Sequence, residues 1–171
     1  MVNGNLKVDA LTPGIQCGRC HEGTTVHSTK MQPVPKKLGK LSSEETADFC
    51  GQCHRTWATI ATQGPNNITN VRFQPYRLVN SRCYDATDDR IRCTSCHDPH
   101  DDATPALSAF DARCNACHAA GGKAKAGAKL CPVAKAGCTN CHMPKVEIPS
   151  AHNKFTDHWI RIERRGLAPP V

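Results

Sequence analysis

The chain has 171 residues, with 12 cysteines, 9 histidines, only 5% aromatic residues and a formal net charge of +7. No apolar run of about 18 or more residues occurs, which excludes a transmembrane helix. The basic residues are scattered without an aromatic platform, which argues against nucleic-acid binding. The length predicts a single domain spanning residues 1–171. With so few apolar residues, such a domain needs something other than its own side chains to fill its interior.

The first half of the chain is predicted to hold one long helix between loops. Met31–Lys40 contains Pro and Lys and is predicted to be a loop. Ser42–Glu45 has the sequence of a capping box, and it opens a helix predicted to run to about Thr62, before Gly64–Pro65. The following Val71–Val79 stretch is predicted to be extended or irregular, with one short strand.

The second half is also predicted to be helical where it is regular. A helix is expected over Pro105–His118, followed by a surface loop at 119–130 that is rich in Ala, Gly and Lys. Pro144 should end any helix that runs through Cys138–His142. A short helix is expected over Phe155–Arg165. The predicted fold class is therefore mostly α with extensive irregular loops.

The motif C-x-x-C-H occurs five times, at irregular spacing. It is the attachment sequence of a c-type haem, in which two cysteines form thioethers to the haem and the histidine binds the iron. The predicted attachment cysteines are Cys17, Cys20, Cys50, Cys53, Cys93, Cys96, Cys114, Cys117, Cys138 and Cys141. The predicted proximal iron ligands are His21, His54, His97, His118 and His142.

Two alternatives to haem attachment explain the motifs less well. Zinc sites use cysteine knuckles in pairs, whereas five is an odd number, and they do not require a histidine after every pair. A disulfide framework explains none of the histidines. We therefore predict a pentahaem c-type cytochrome whose fold is organised around stacked haems.

Haem attachment also bears on charge and location. Each haem brings two propionates, so five haems would offset much of the positive charge. Haem is attached to this motif outside the cytoplasmic membrane, so we expect a periplasmic or extracellular protein. The first residues lack the apolar segment of a signal peptide. We therefore expect the chain to be a mature form or a piece of a longer exported protein.

Four histidines lie outside the motifs and are predicted to be distal iron ligands: His27, His100, His152 and His158. His100 follows the proximal His97 by three residues. The intervening Asp-Pro cannot wrap around a porphyrin, so His100 should bind the iron of a different haem. His152 and His158 are six residues apart and should serve two haems. A haem site that also supplies a ligand to the iron of a neighbouring haem implies a packed array of haems.

The ligand count leaves one iron without a histidine, because five irons face four spare histidines. Met31 could bind this iron and would raise its reduction potential. A partner subunit could donate a histidine instead. The third alternative is an open iron that binds a small ligand. The sequence does not choose among them.

Cys83 and Cys131 lie outside the attachment motifs. In an exported protein they are interpreted as a disulfide, which would tie the loop before the third motif to the loop before the fifth. Free buried thiols and thiolate ligation of iron are the alternatives.

Several stretches resemble a group of exported multihaem cytochromes. They are Cys93–His100, Cys138–Lys145 and Phe155–Arg161, together with the opening around the first motif. The group includes tetrahaem cytochrome c-554, pentahaem nitrite reductase and octahaem hydroxylamine oxidoreductase, and the resemblance is closest to uncharacterised bacterial members.

This resemblance implies neighbouring haems stacked parallel or roughly perpendicular. It also implies that the four spare histidines are distal ligands and that Cys83 and Cys131 form an extra cysteine pair. No C-x-x-C-K motif is present, so the substrate haem of the nitrite reductases has no counterpart and catalysis does not carry over.

We consider three functional hypotheses. The first is electron transfer between exported redox partners through mostly bis-histidine haems, with end-to-end assembly into a wire or filament as a variant. The second is an oxidoreductase that acts on a small nitrogen or oxygen species at an open haem. The third is a module whose haems only replace a core, which one or two haems would achieve.

Overall fold

The computed structural model describes residues 14–21, 29–30, 38–63, 68–101, 106–119, 130–148 and 151–163. The chain divides into two units, Met1–Lys40 and Leu41–Val171. A single domain over the whole length stays a prediction. In the first unit, Cys17–Cys20 forms helix α1 and Leu38–Lys40 forms a 3₁₀ helix. The predicted loop over Met31–Lys40 lies mostly outside the described residues.

The second unit is mostly helical. Its helices are α2 (Ser43–His54), α3 (Trp57–Gln63), α4 (Gln74–Val79), α5 (Cys93–Cys96), α6 (Leu107–His118) and α7 (Cys138–His142), with a 3₁₀ helix at Ile68–Arg72. Strands β1 (Lys145–Ile148) and β2 (Asn153–Thr156) form a two-stranded antiparallel sheet. Within the described ranges, no helix has the length and apolar character needed to cross a membrane.

The capping box predicted for α2 is confirmed. The Ser42 hydroxyl accepts the Glu45 N–H at 3.1 Å, and the Glu45 carboxylate accepts the Ser42 N–H at 2.8 Å. The predicted extension to Thr62 as one helix is wrong. Arg55 has φ 75°, a backbone conformation that a right-handed helix cannot include, so α2 ends at His54 and a separate helix, α3, follows.

Two other helix predictions are confirmed within the described residues. The helix expected over Pro105–His118 is observed as α6 from Leu107 to His118. Helix α7 ends at His142, before Pro144, as the sequence indicates. The loop predicted at 119–130 lies almost wholly outside the described residues.

The prediction for Val71–Val79 is wrong, because this stretch is helical. Phe73 separates the 3₁₀ helix from α4, and Pro75 lies in the first turn of α4. The first turn leaves its N–H groups without helical partners, so the N–H that proline lacks costs no hydrogen bond there.

The helix predicted over Phe155–Arg165 is also wrong. Phe155 lies in β2 opposite Val146 of β1, and residues 157–163 have no regular structure. This pairing depends on a strand that precedes Phe155 in the chain, which the local pattern of Phe155–Arg165 does not reveal. The fold class is thus mostly α with irregular loops, plus one small sheet that was not predicted.

The sheet covers a small apolar core. Val71, Val146 and Ile148 are buried, and Ile68, Ala151 and Phe155 pack against them. Only three further apolar side chains, Ala47, Ile60 and Phe73, are buried among the residues described. A core of this size is small for a unit of this length, as expected if another group fills much of the interior.

Candidate haem sites and their ligands

Each C-x-x-C-H motif lies on a helical turn. The motifs form α1, the last turn of α2, α5, the last turn of α6, and α7. A helical turn brings residues i and i+3 to the same side, so the two thiols of a motif face one direction. In the first and third motifs the histidine N–H closes the turn on the first cysteine, as in the 2.9 Å bond from His97 to the Cys93 carbonyl. This local geometry fits attachment of one haem per motif.

Thiols of different motifs also meet. The Cys50 and Cys93 thiols are hydrogen-bonded, which lowers the pKa of Cys50 to about 7 and raises that of Cys93. Burial is the main reason that the pKa of Cys138 rises to about 12, and its hydrogen bond with Cys114 adds to the rise. The second motif therefore adjoins the third, and the fourth adjoins the fifth.

The third and fourth motifs are neighbours as well. Burial raises the pKa of both Cys96 and Cys114. The negative charge of a Cys83 thiolate nearby raises both pKa values further. The ring of His97 lies edge-on to that of Phe110 in α6, with centroids 5.6 Å apart. Four motifs of the second unit therefore follow one another in space in the order in which they occur along the chain.

The predicted distal ligand His158 lies beside the proximal His97. Their ring centroids are 6.2 Å apart and their planes differ by 30°. Two imidazoles that bind one metal from opposite sides have centroids about 6 Å apart, since the metal–nitrogen bond is about 2 Å and the ring centre lies about 1 Å further. Burial lowers the pKa of His97 and lowers that of His158 to about 4. Both rings are therefore neutral near pH 7, which is the form that binds a metal.

Backbone carbonyls orient two of the candidate ligands. His158 Nδ1 lies 3.1 Å from the Thr156 carbonyl, and His142 Nδ1 lies 2.8 Å from the Arg161 carbonyl. Metal-binding histidines usually donate their second ring N–H in this way, which fixes the ring and leaves the other nitrogen for the metal. These contacts, with the thiols and the small core, fit a haem-binding role.

A buried ion-pair network supports this segment, and it was not predicted from the sequence. Asp157 is fully buried and accepts two hydrogen bonds from Arg77, at 2.7 and 2.8 Å, and one from Arg161 at 2.6 Å. Both arginines also lie close to the ring of Trp159, with guanidinium carbons 5.0 and 5.4 Å from its centroid. Arg161 also donates its backbone N–H to the His142 carbonyl at 3.1 Å. The network thus connects His158 with His142.

Asp111 is a second residue that sequence analysis missed. Its carboxylate accepts the N–H groups of Gly137 and Cys138, each at 2.8 Å, and these bonds lower its pKa. Asp111 lies in α6 and therefore caps the first turn of α7 from a neighbouring helix. The fourth and fifth motifs are held together by this contact.

Other predicted ligands lie at the surface or outside the described residues. His100 is exposed, with Nδ1 3.5 Å from the Asp98 carboxylate. His152 is exposed between β1 and β2, with φ 48°. His27 and Met31 lie outside the described residues. The distal roles of these residues stay predictions.

The predicted disulfide between Cys83 and Cys131 is not formed in the structure. Cys83 lies near Cys96 and Cys114. Cys131 is exposed, and its sulfur accepts the backbone N–H groups of Ala134 and Val133, which lower its pKa.

Comparison with known proteins gives one family. The family model described as cytochrome c3 matches residues 10–119, which contain the first four attachment motifs. Neither the curated proteins nor the solved structures gave a match. Relationship to the group of cytochrome c-554, nitrite reductase and hydroxylamine oxidoreductase stays a prediction.

Proposed function

Because the chain belongs to the cytochrome c3 family and is a multihaem c-type cytochrome, we propose that it transfers electrons through five covalently bound haems between exported redox partners. The fifth haem is assigned to Cys138, Cys141 and His142, which lie beyond the family match. The proposed location is periplasmic or extracellular.

The observation that carries this proposal is the contact between thiols of different motifs. Cys50 touches Cys93, and Cys114 touches Cys138. Thioethers formed at these positions would bring the edges of neighbouring porphyrins together. Each bound haem supplies an iron that alternates between the ferric and ferrous states. The role of the chain is to fix these attachment points in a continuous series from the second motif to the fifth.

In the proposed relay, histidines are the axial ligands of the haem irons. His158 is assigned as the distal ligand opposite His97, on the basis of their 6.2 Å ring separation. Thr156 and Arg161 hold the rings of His158 and His142 in fixed orientations. Bis-histidine ligation would leave no position on these irons for a substrate, which suits electron transfer.

Assembly into a wire is a variant of the proposal. The ligand count favours it, because the haem without a histidine from its own chain could receive one from a second copy. If so, the ferric haems become fully low-spin only when the chains assemble. Spectra recorded across a dilution series of the holoprotein test this variant.

The alternative function is reduction or oxidation of a small nitrogen or oxygen species at one open iron. Its support is the same ligand shortage, five irons against four spare histidines. Adding cyanide, nitrite or nitric oxide to the holoprotein separates the two functions. The relay predicts low-spin ferric spectra that none of these ligands changes. A high-spin haem that binds cyanide, nitrite or nitric oxide in the fully assembled protein would favour the enzyme.

A further inference from the structure

A cavity of about 300 Å³ lies beside the second attachment motif. Its walls include His54, Arg55, Arg72, Gln74 and two phenylalanines, Phe73 and Phe155. Both arginines lie near these rings. The Arg55 guanidinium carbon is 5.9 Å from the Phe73 ring centroid, and that of Arg72 is 5.5 Å from Phe155. The cavity therefore combines two aromatic rings with two positive charges in a mainly polar lining.

Among the residues that the structure describes, no carboxylate lines the cavity, and neither Arg55 nor Arg72 forms an ion pair. The contrast with Arg77 and Arg161 is direct, because those two share the carboxylate of Asp157. Both arginines are solvent-exposed and line the same cavity, so an anion bound there would be attracted by both charges.

Gln74 adds an unsatisfied polar group to the same cavity. Its Oε1 is buried and has no hydrogen-bond partner among the residues described. The oxygen and nitrogen of a glutamine amide exchange places when the group flips, so this position can present an N–H donor instead. A buried amide donor beside two guanidinium groups suits an acceptor that carries negative charge.

The backbone at Arg55 gives a further reason to consider this residue. Its φ of 75° is a conformation that residues other than glycine rarely adopt, and it strains the backbone. A glycine would adopt it without this strain. An arginine at this position places a charge at the cavity immediately after the proximal ligand His54.

We propose that this cavity is an anion site that binds a carboxylate or small oxyanion through Arg55, Arg72 and the Gln74 amide. The anion has two sources, a propionate of the haem attached at Cys50 and Cys53 or a free oxyanion from solution. The first source rests on the proposed function, whereas the second does not. Either source places an anion next to the second motif, where it helps to set the local potential.

The test compares three variants of the full-length holoprotein. Arg55→Gln and Arg72→Gln each remove one cavity charge. Arg90→Gln is the matched control, since Arg90 is exposed, already pairs with Asp88 at 2.6 Å and does not line the cavity. Intact mass counts the haems of each protein first, so failure of the haem assignment is recognised separately. If Arg55→Gln does not fold, Arg72→Gln carries the test, because Arg72 is exposed on a short 3₁₀ helix.

The free-anion source is tested by calorimetric titration with sodium acetate and with sodium phosphate. This source predicts saturable binding of one anion per chain, weakened about tenfold in either cavity variant and unchanged in Arg90→Gln. The propionate source predicts that neither probe binds to the wild type.

The propionate source is tested by a redox titration and by the carboxylate bands in the infrared spectrum. It predicts that one haem in five shifts to a lower potential in both cavity variants, because losing a nearby positive charge favours the ferric state. The carboxylate bands should shift in the same two variants. The proposal is overturned if the cavity variants match Arg90→Gln in anion binding, potential and infrared bands alike.

Discussion

At the scale of single residues, Asp157 carries a charge in the protein interior. It is fully buried with two arginines, and it lies between the strand β2 and the candidate ligand His158. Burial alone would raise its pKa, but the hydrogen bonds from Arg77, Trp159 and Arg161 lower it, so the carboxylate stays ionised. A buried ion pair adds little net stability, yet removal of one partner leaves the other charged and unpaired.

We therefore predict that Asp157→Asn lowers the free energy of unfolding by about 3–5 kcal/mol. The loss is measured by denaturant unfolding of the holoprotein, followed by far-UV circular dichroism. Asp88→Asn, in an exposed pair with Arg90, is the control and should change stability little. Equal effects of the two substitutions would contradict the structural role given to Asp157.

His158 provides the second test at this scale. Because its ring lies 6.2 Å from that of His97, His158→Ala should convert one haem from low to high spin. Electron paramagnetic resonance of the ferric protein measures the change. Lys154→Ala, at an exposed position of the preceding strand β2, is the control. An unchanged spectrum for His158→Ala would remove His158 from the set of distal ligands.

Some of these residues could be predicted from the sequence, and others could not. The proximal histidines are readable because each stands at a fixed offset from two cysteines. His158 was predicted as a distal ligand because the irons need sixth ligands. The pairing of Arg77 with Asp157 was not predictable, since the two residues are 80 positions apart and neither carries a local motif.

At the scale of secondary-structure elements, α6 and α7 are joined through one carboxylate. Asp111 of α6 binds the N–H groups that begin α7. Two attachment motifs lie on these helices, so the capping contact sets how closely the motifs approach. It is a helix cap supplied from outside the helix, which no local capping sequence at Gly137 would indicate.

The capping contact of Asp111 leads us to predict how the stability of the protein depends on pH. The bonds to Gly137 and Cys138 lower the pKa of Asp111, so its contribution to stability is present above the ordinary pKa of about 3.9 and is lost as the pH falls through the lowered value. Asp111→Asn should therefore be less stable than wild type near pH 7, with the difference shrinking in acid. Denaturant unfolding between pH 7 and pH 2 measures this.

Asp48→Asn, at an exposed position of α2, is the control for Asp111→Asn. Its difference from wild type should show no comparable loss in acid. A stability difference for Asp111→Asn that stays constant with pH would contradict the assigned cap.

Local signals decided which elements could be predicted. The Ser42 capping box and the Pro144 stop act within a few residues, and both predictions are confirmed. The sheet depends on Val146 meeting Phe155 across a turn, and the break after α2 depends on the unusual backbone of Arg55. Neither the pairing nor the break has a signature in the adjacent sequence, so both were missed.

At the scale of the whole molecule, we propose that haems take the place of much of an apolar core. The buried apolar residues of the second unit are few, whereas attachment motifs and their ligands recur along the chain. Propionates from five haems would also offset the formal charge of +7. Loss of haem should therefore remove both packing and charge balance, and we expect protein produced without haem attachment to lack cooperative unfolding.

We propose that five haems act together as an electron relay. Coulometric reduction of the fully oxidised holoprotein, with intact mass measured on the same sample, tests it most directly. We predict five attached haems and five electrons taken up per chain. Fewer than five attached haems, or a motif whose haem takes up no electron, would contradict the proposed five-haem relay.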